Sequence, residues 1–238
     1  MDINVLIAML LISIGAFIQT ATGFGMAVVA SPLLLYLSPE FIPGPIIIVG
    51  LFLASINMHK YRLHVSWGGL KKSVIGLLPG TIAGALILYL VDLKQLSLLL
   101  GCTVLIAVTV SLLPVKLDVT PRRLMLAGFF SGFLGTSSGI GGPPMALLLQ
   151  HQQANLIRAN LAAFFLMNCI LSLAIQIPIG YMSWSHLKLA LPLIPAGYVG
   201  YWVAIRVVDR IPQKVVRNAS LALCLIAGIG AVYSGLNI

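Results

Sequence analysis

The chain has 238 residues, 60% of them hydrophobic and only 8% charged, with a mean hydropathy of +1.07. A soluble domain carries about 25% charged residues, and five acidic with fourteen basic side chains cannot clothe a water-facing surface of this size. The composition predicts an all-α polytopic membrane protein and excludes an ordinary cytoplasmic enzyme or nucleic-acid-binding domain; the net charge of +9 reads as loop charge that orients helices.

Apolar segments are predicted at 3–22, 24–37, 45–58, 73–91, 95–113, 124–138, 140–150, 159–177, 187–208 and 216–236. The first has no basic leader and no small-residue cleavage pattern, so it is expected to be a membrane segment rather than a signal peptide. A bilayer core needs about 20 helical residues, and segments 24–37, 124–138 and 140–150 fall short of that. Each short segment adjoins a glycine-rich turn. The first turn is Thr20-Ala21-Thr22-Gly23-Phe24-Gly25. The second is Gly135-Thr136-Ser137-Ser138-Gly139-Ile140-Gly141-Gly142, followed by Pro143-Pro144. We read both as broken-helix hairpins.

The sequence repeats at an offset of 117. Ser66-Trp67 matches Ser183-Trp184, Leu70-Lys71 matches Leu187-Lys188, Gly80 matches Gly197, and Val91-Asp92 matches Val208-Asp209. This predicts two membrane repeats, 1–119 and 120–238, each a hairpin plus three transmembrane helices, or 8–10 membrane segments in all. The basic loop changes place between them. Lys60, Arg62, Lys71 and Lys72 cluster before the fourth segment, whereas the later repeat carries Arg206, Arg210, Lys214 and Arg217 one loop further on. An inverted repeat explains the switch, because both halves must put positive loops on the cytoplasmic side. Lys116, Arg122, Arg123 and Arg158 then also face inward, only Lys94 and Lys188 face outward, and both termini are expected outside the cytoplasmic membrane.

Few residues can carry chemistry. Asp2, Glu40, Asp92, Asp118 and Asp209 all fall at segment ends or in loops, which leaves no mid-helix acid for proton or sodium coupling. Cys102, Cys169 and Cys224 sit in apolar runs and read as small buried hydrophobes. His59, His64, His151 and His186 have no metal-ligand spacing and are expected at interfaces; no metal or cofactor is implied. The glycine turns are the informative feature. A break inside the membrane leaves free N–H groups at the positive end of the next helix, which is an anion site. Two breaks from inverted halves would meet near the midplane. Gly23, Gly25, Gly135, Gly139, Gly141 and Gly142 would supply backbone, and Gln19, Thr20, Thr22, Thr136, Ser137 and Ser138 would donate hydrogen bonds without bringing in charge. Arg158, Asn160 and Asn168 are the remaining polar candidates. Gly15, Gly84, Gly128 and Gly228 read instead as helix-packing glycines.

These residues resemble the TauE/SafE family of sulfite and organosulfonate permeases. The carriers are Gly15 with Gly23-Phe24-Gly25, Pro32 and Leu33-Leu34-Leu35 in the first half. In the second they are Gly128, Gly132, Gly135, Gly139-Ile140-Gly141-Gly142 and Leu147-Leu148-Leu149. The prolines after Gly142 arrive earlier than that pattern has them, and Met26 stands where a further glycine is usual. The resemblance implies a cytoplasmic-membrane permease for small sulfur-containing anions, often an exporter. The combined expectation is a secondary transporter with alternating access, one repeat rocking against the other around a midplane anion site. Its partners would be the anion and the lipid bilayer, with a homodimer allowed. An anion channel, or a permease for another small organic anion, is the alternative.

Overall fold

The computed structural model describes residues 3–112, 117–207 and 213–237. Asp2, Lys116, Asp209 and Arg210 lie outside them, as do the side chains of Lys214 and Arg217. The described residues form helices and contain no strand: α1 Ile3–Thr22, α2 Met26–Leu37, α3 Gly44–Tyr61, α4 Trp67–Leu90, α5 Leu93–Leu112, α6 Pro121–Ser138, α7 Gly142–Leu149, α8 Ala154–Gln176, α9 Trp184–Val207 and α10 Gln213–Asn237. Each corresponds to one apolar segment. Most run a few residues past the hydropathy boundaries, into the polar residues that flank the apolar runs. Ser66 and Ser183 precede Trp67 and Trp184. Asp92 and Gln95 close a reciprocal capping box at the start of α5 (2.8 and 3.1 Å). Thr120 accepts from Arg123 N ahead of α6.

Helices α1, α4, α8 and α9 are long and apolar enough to cross a bilayer, and so is α3 with its flanking turns. This is a multi-pass membrane protein. With 12 and 8 residues, α2 and α7 reach only about 18 and 12 Å. Each is therefore the short arm of a hairpin whose long arm is α1 or α6. The described basic side chains are exposed, apart from Arg158, which is half-buried.

Small residues set which helices touch. On α4, a methyl at Gly76, Gly80 or Gly84 would overlap the carbonyl of Met125, Phe129 or Phe133 on α6. On α6, Gly128 and Gly132 face the Ser73 and Leu77 carbonyls in return. The pair meets backbone to backbone, the close approach that small-xxx-small spacing permits. The packing expected of Gly84, Gly128 and Gly228 is thus observed, with Gly228 set against Val104 and Leu105. Helix α1 meets α9 in the same manner: Gly200 lies against the Ser13 carbonyl, and Ser13 Oγ donates to the Ala196 carbonyl (2.8 Å). Further pairings are α3 with α8 and α5 with α10.

The apolar interior is divided in two. One core gathers residues of α1, α2, α3, α5, α9 and α10, among them Ile12, Leu34, Leu53, Leu100, Leu193 and Cys224. The other gathers α4, α6, α7 and α8, through Leu77, Leu124, Met145, Leu161 and Phe164. The expectation for the cysteines needs correction. Cys224 is buried, but Cys102 is exposed on an outer helix surface and Cys169 is half-buried. An apolar run fixes membrane depth, whereas the helix face that carries a thiol is set by packing.

Candidate functional site

Both long arms end at a left-handed glycine. Gly23 and Gly25 have φ of 96° and 119°, and Gly139 has φ of 78°. An L side chain is disfavoured there, so glycine is what lets each helix turn back inside the protein. The freed carbonyls are satisfied locally and from α8. Gly23 N donates to the Gln19 carbonyl (2.7 Å), Thr22 Oγ1 to the Ile18 carbonyl (2.9 Å) and Arg158 Nη2 to the Ala21 carbonyl (3.0 Å). At the other break, Ser138 Oγ donates to the Leu134 carbonyl (2.7 Å) and Gln176 Nε2 to the Thr136 carbonyl (2.9 Å). Helix α8 thus serves the end of α1 near its own start and the end of α6 at its own end.

Between the breaks lies a cavity of about 50 Å³. Gln19, Gly25, Met26, Ala27 and Val28 line it from α1 and α2, and Ile46, Ile47 and Gly50 from α3. The opposite wall is Gly135, Gly139, Gly141 and Gly142 with Phe165, Asn168, Cys169 and Ser172 of α8. No charged side chain is among them. The cavity lies between the two apolar cores, one wall from each.

The two breaks are chemically unequal. The first intrahelical bond of α2 is Val29 N to the Gly25 carbonyl (3.0 Å), so the N–H groups of Met26, Ala27 and Val28 have no partner within the helix. All three residues line the cavity. The corresponding positions of α7 are Gly142, Pro143 and Pro144, and the prolines carry no N–H. Donor capacity and helix dipole therefore converge on the cavity mainly from α2.

A buried polar chain backs the α6 side. Asn168 Nδ2 donates to the Ser131 carbonyl (3.4 Å), Ser172 Oγ donates to Asn168 Oδ1 (3.3 Å), and Ser172 shares a hydrogen bond with Thr136 Oγ1 (2.7 Å). The Asn168 amide is wedged between Gly135 and Gly141, where a methyl on either glycine would strike Nδ2.

Of the residues singled out from sequence, Gln19, Gly25, Gly135, Gly139, Gly141, Gly142 and Asn168 meet at this cavity. Thr20, Gly23 and Arg158 line a smaller neighbouring one, together with Gln19 and Phe165. The other hydroxyls are spent on structure. Thr22 and Ser138 cap their own helices, Ser137 donates to the Phe133 carbonyl (2.7 Å), and Thr136 binds Ser172. Asn160 accepts from Ser66 N (2.8 Å) and so caps α4, away from the cavity. Sequence reading missed Met26–Val28, Ile46, Ile47, Gly50, Phe165, Cys169 and Ser172. A helix-start signal at Met26 could have found the first three, because the residues after a glycine break own the free N–H groups. The apolar liners carry no sequence signal.

No solved structure matches the chain. A probable sulfite/organosulfonate exporter, TauE, of Cupriavidus necator is 25% identical over 151 residues, which is 60% of this chain and 59% of that protein. The chain thus spans about three fifths of that relative's length. The family description "Sulfite exporter TauE/SafE" matches residues 7–231, which take in both glycine breaks and every lining residue named above. By that match the chain belongs to the sulfite exporter TauE/SafE family.

Proposed function

We propose that the protein is a secondary transporter of small sulfur-containing anions, sulfite or an organosulfonate, that works as an exporter from the cytoplasmic membrane and holds its substrate in the central cavity. The observation that carries this reading is the convergence of both helix breaks on one cavity with no charged liner, beside the start of α2, whose first three N–H groups have no partner within the helix. Backbone donors stabilise an oxyanion without a counter-ion, so the anion is held yet free to leave. With no acid lining the cavity, the membrane potential supplies the drive. At about 2.3 kcal/mol per charge per 100 mV, a negative interior favours outward movement of an anion.

Two features support an inverted pair of repeats, 1–119 and 120–238. Helices α4 and α9 start and end at the same offset of 117. Contacts advance together along α6 and α8, Ser131 with Asn168 and Thr136 with Gln176, whereas the end of α1 meets the start of α8 through Ala21 and Arg158; this supports long arms that run in opposite directions. The bodies that would rock are not the repeats. Helix α4 is locked to α6 and α9 to α1, so each repeat has lent a helix to the other. Alternating access would move the α4–α6–α7–α8 body against the remaining six helices and open the cavity first to one side and then to the other. The basic loops support an orientation with the Arg158 side in the cytoplasm and both termini outside.

Reconstituted liposomes with an imposed potential test the proposal. Saturable, potential-dependent sulfite or sulfonate flux at carrier rates is expected. Conductance at channel rates, or absence of flux for every sulfur anion by protein shown to be folded, would overturn it.

A further inference from the structure

The small cavity beside the central one measures about 10 Å³. Gln19 and Phe165 line both and so form the partition between them. The chemistry changes across it. The central cavity has no charged liner, whereas Arg158 lines the small one together with Thr20 and Asn57. Thr20 is 2% exposed, and its Oγ1 has no hydrogen-bond partner. An orphaned hydroxyl at membrane depth is destabilising and persists where something else supplies the bond. Asn57 gives one bond to the Leu53 carbonyl (2.9 Å). Arg158 gives Nη2 to the Ala21 carbonyl (3.0 Å), and a guanidinium has five N–H donors.

We infer that this small cavity is a second anion station, taking a single oxyanion between Arg158, Asn57 and Thr20 after it passes Gln19 and Phe165. The inference rests on the transporter reading above. No charged side chain lines the central cavity; in the small one an anion meets Arg158 directly, on the side of the basic loops. The station is also coupled to the joint between the bodies. Of the helix-to-helix side-chain hydrogen bonds described above, Arg158 to Ala21 alone crosses from one core to the other. An anion that takes the guanidinium from Ala21 loosens that joint, and the cavity widens beyond the room of a single water.

Binding of radiolabelled sulfite to the full purified chain, counted per molecule in chloride-free buffer, tests this. Two classes of site are expected. Arg158→Gln should remove one class and leave the other within about twofold, and Arg158→Lys should restore part of it. Thr20→Val, which keeps the shape, should weaken the same class by about two- to tenfold, the worth of one neutral hydrogen bond. It carries the test should Arg158→Gln fail to give a monodisperse protein. A single class in the unaltered protein, or two classes that both substitutions leave intact, would mean that the cavity holds only a water. Loss of both classes in folded Arg158→Gln would place Arg158 in one shared site and overturn the second station. Absence of any sulfite binding by the unaltered protein would bring down the transporter reading with it.

Discussion

Alanine at Gly142 separates transport from folding more cleanly than alanine at the other glycines of the break. At Gly139 the positive φ of 78° strains any side chain, at about 1–2 kcal/mol. At Gly141 a methyl would strike Asn168 Nδ2 and lie 2.7 Å from the Ser131 carbonyl, where rigid backbone cannot give. Gly142 has neither problem. It opens α7 in ordinary helical geometry, and its methyl would lie 3.4 Å from Phe24 Cβ and 3.5 Å from Phe165 Cζ, in normal van der Waals contact. Stability should therefore change by less than about 1 kcal/mol. The cavity should suffer, because the methyl is added to a lining residue of a space of only about 50 Å³. In proteoliposomes the Gly142→Ala protein is expected to melt within a few degrees of the parent and to carry sulfite at least about tenfold more slowly, a loss of about 1.4 kcal/mol of transition-state stabilisation. Parental flux in the folded variant would show that the cavity is not on the path.

The packing glycines should behave oppositely: Gly80→Ala drives a methyl into the Phe129 carbonyl, and overpacking of about 1–3 kcal/mol or more should appear as aggregation on size exclusion before any flux is measured. The three atoms nearest a methyl at Gly135 all belong to Asn168, so Gly135→Ala should cost about 1–3 kcal/mol alone, yet add little in an Asn168→Ala background; additive thermal shifts would refute that wedge. Cysteine placed at position 94 should label from outside and at position 71 from inside, and the reverse pattern would sink the proposed orientation.

Hydropathy placed the helices because membrane insertion is a one-dimensional selection on apolar length. It could not rank the hydroxyls. Thr136, Ser137 and Ser138 look like anion donors in a row, but a serine or threonine near a helix end readily bonds to the carbonyl four residues back, and Ser137 and Ser138 do so. Asn160 looked like a liner because it follows Arg158, yet it sits on the other face of α8 and caps α4.

By itself, the sequence determined that the protein lies in the membrane, where its segments fall and where glycine lets two of them turn back, since these follow from composition and local backbone freedom. Tertiary structure alone decided which helices share a core. The packing of α4 on α6 and of α9 on α1, the wedge of Asn168 between two glycines and the bond from Arg158 to Ala21 join residues up to 183 positions apart. Complementary surfaces in three dimensions select such pairs, and no local pattern records them.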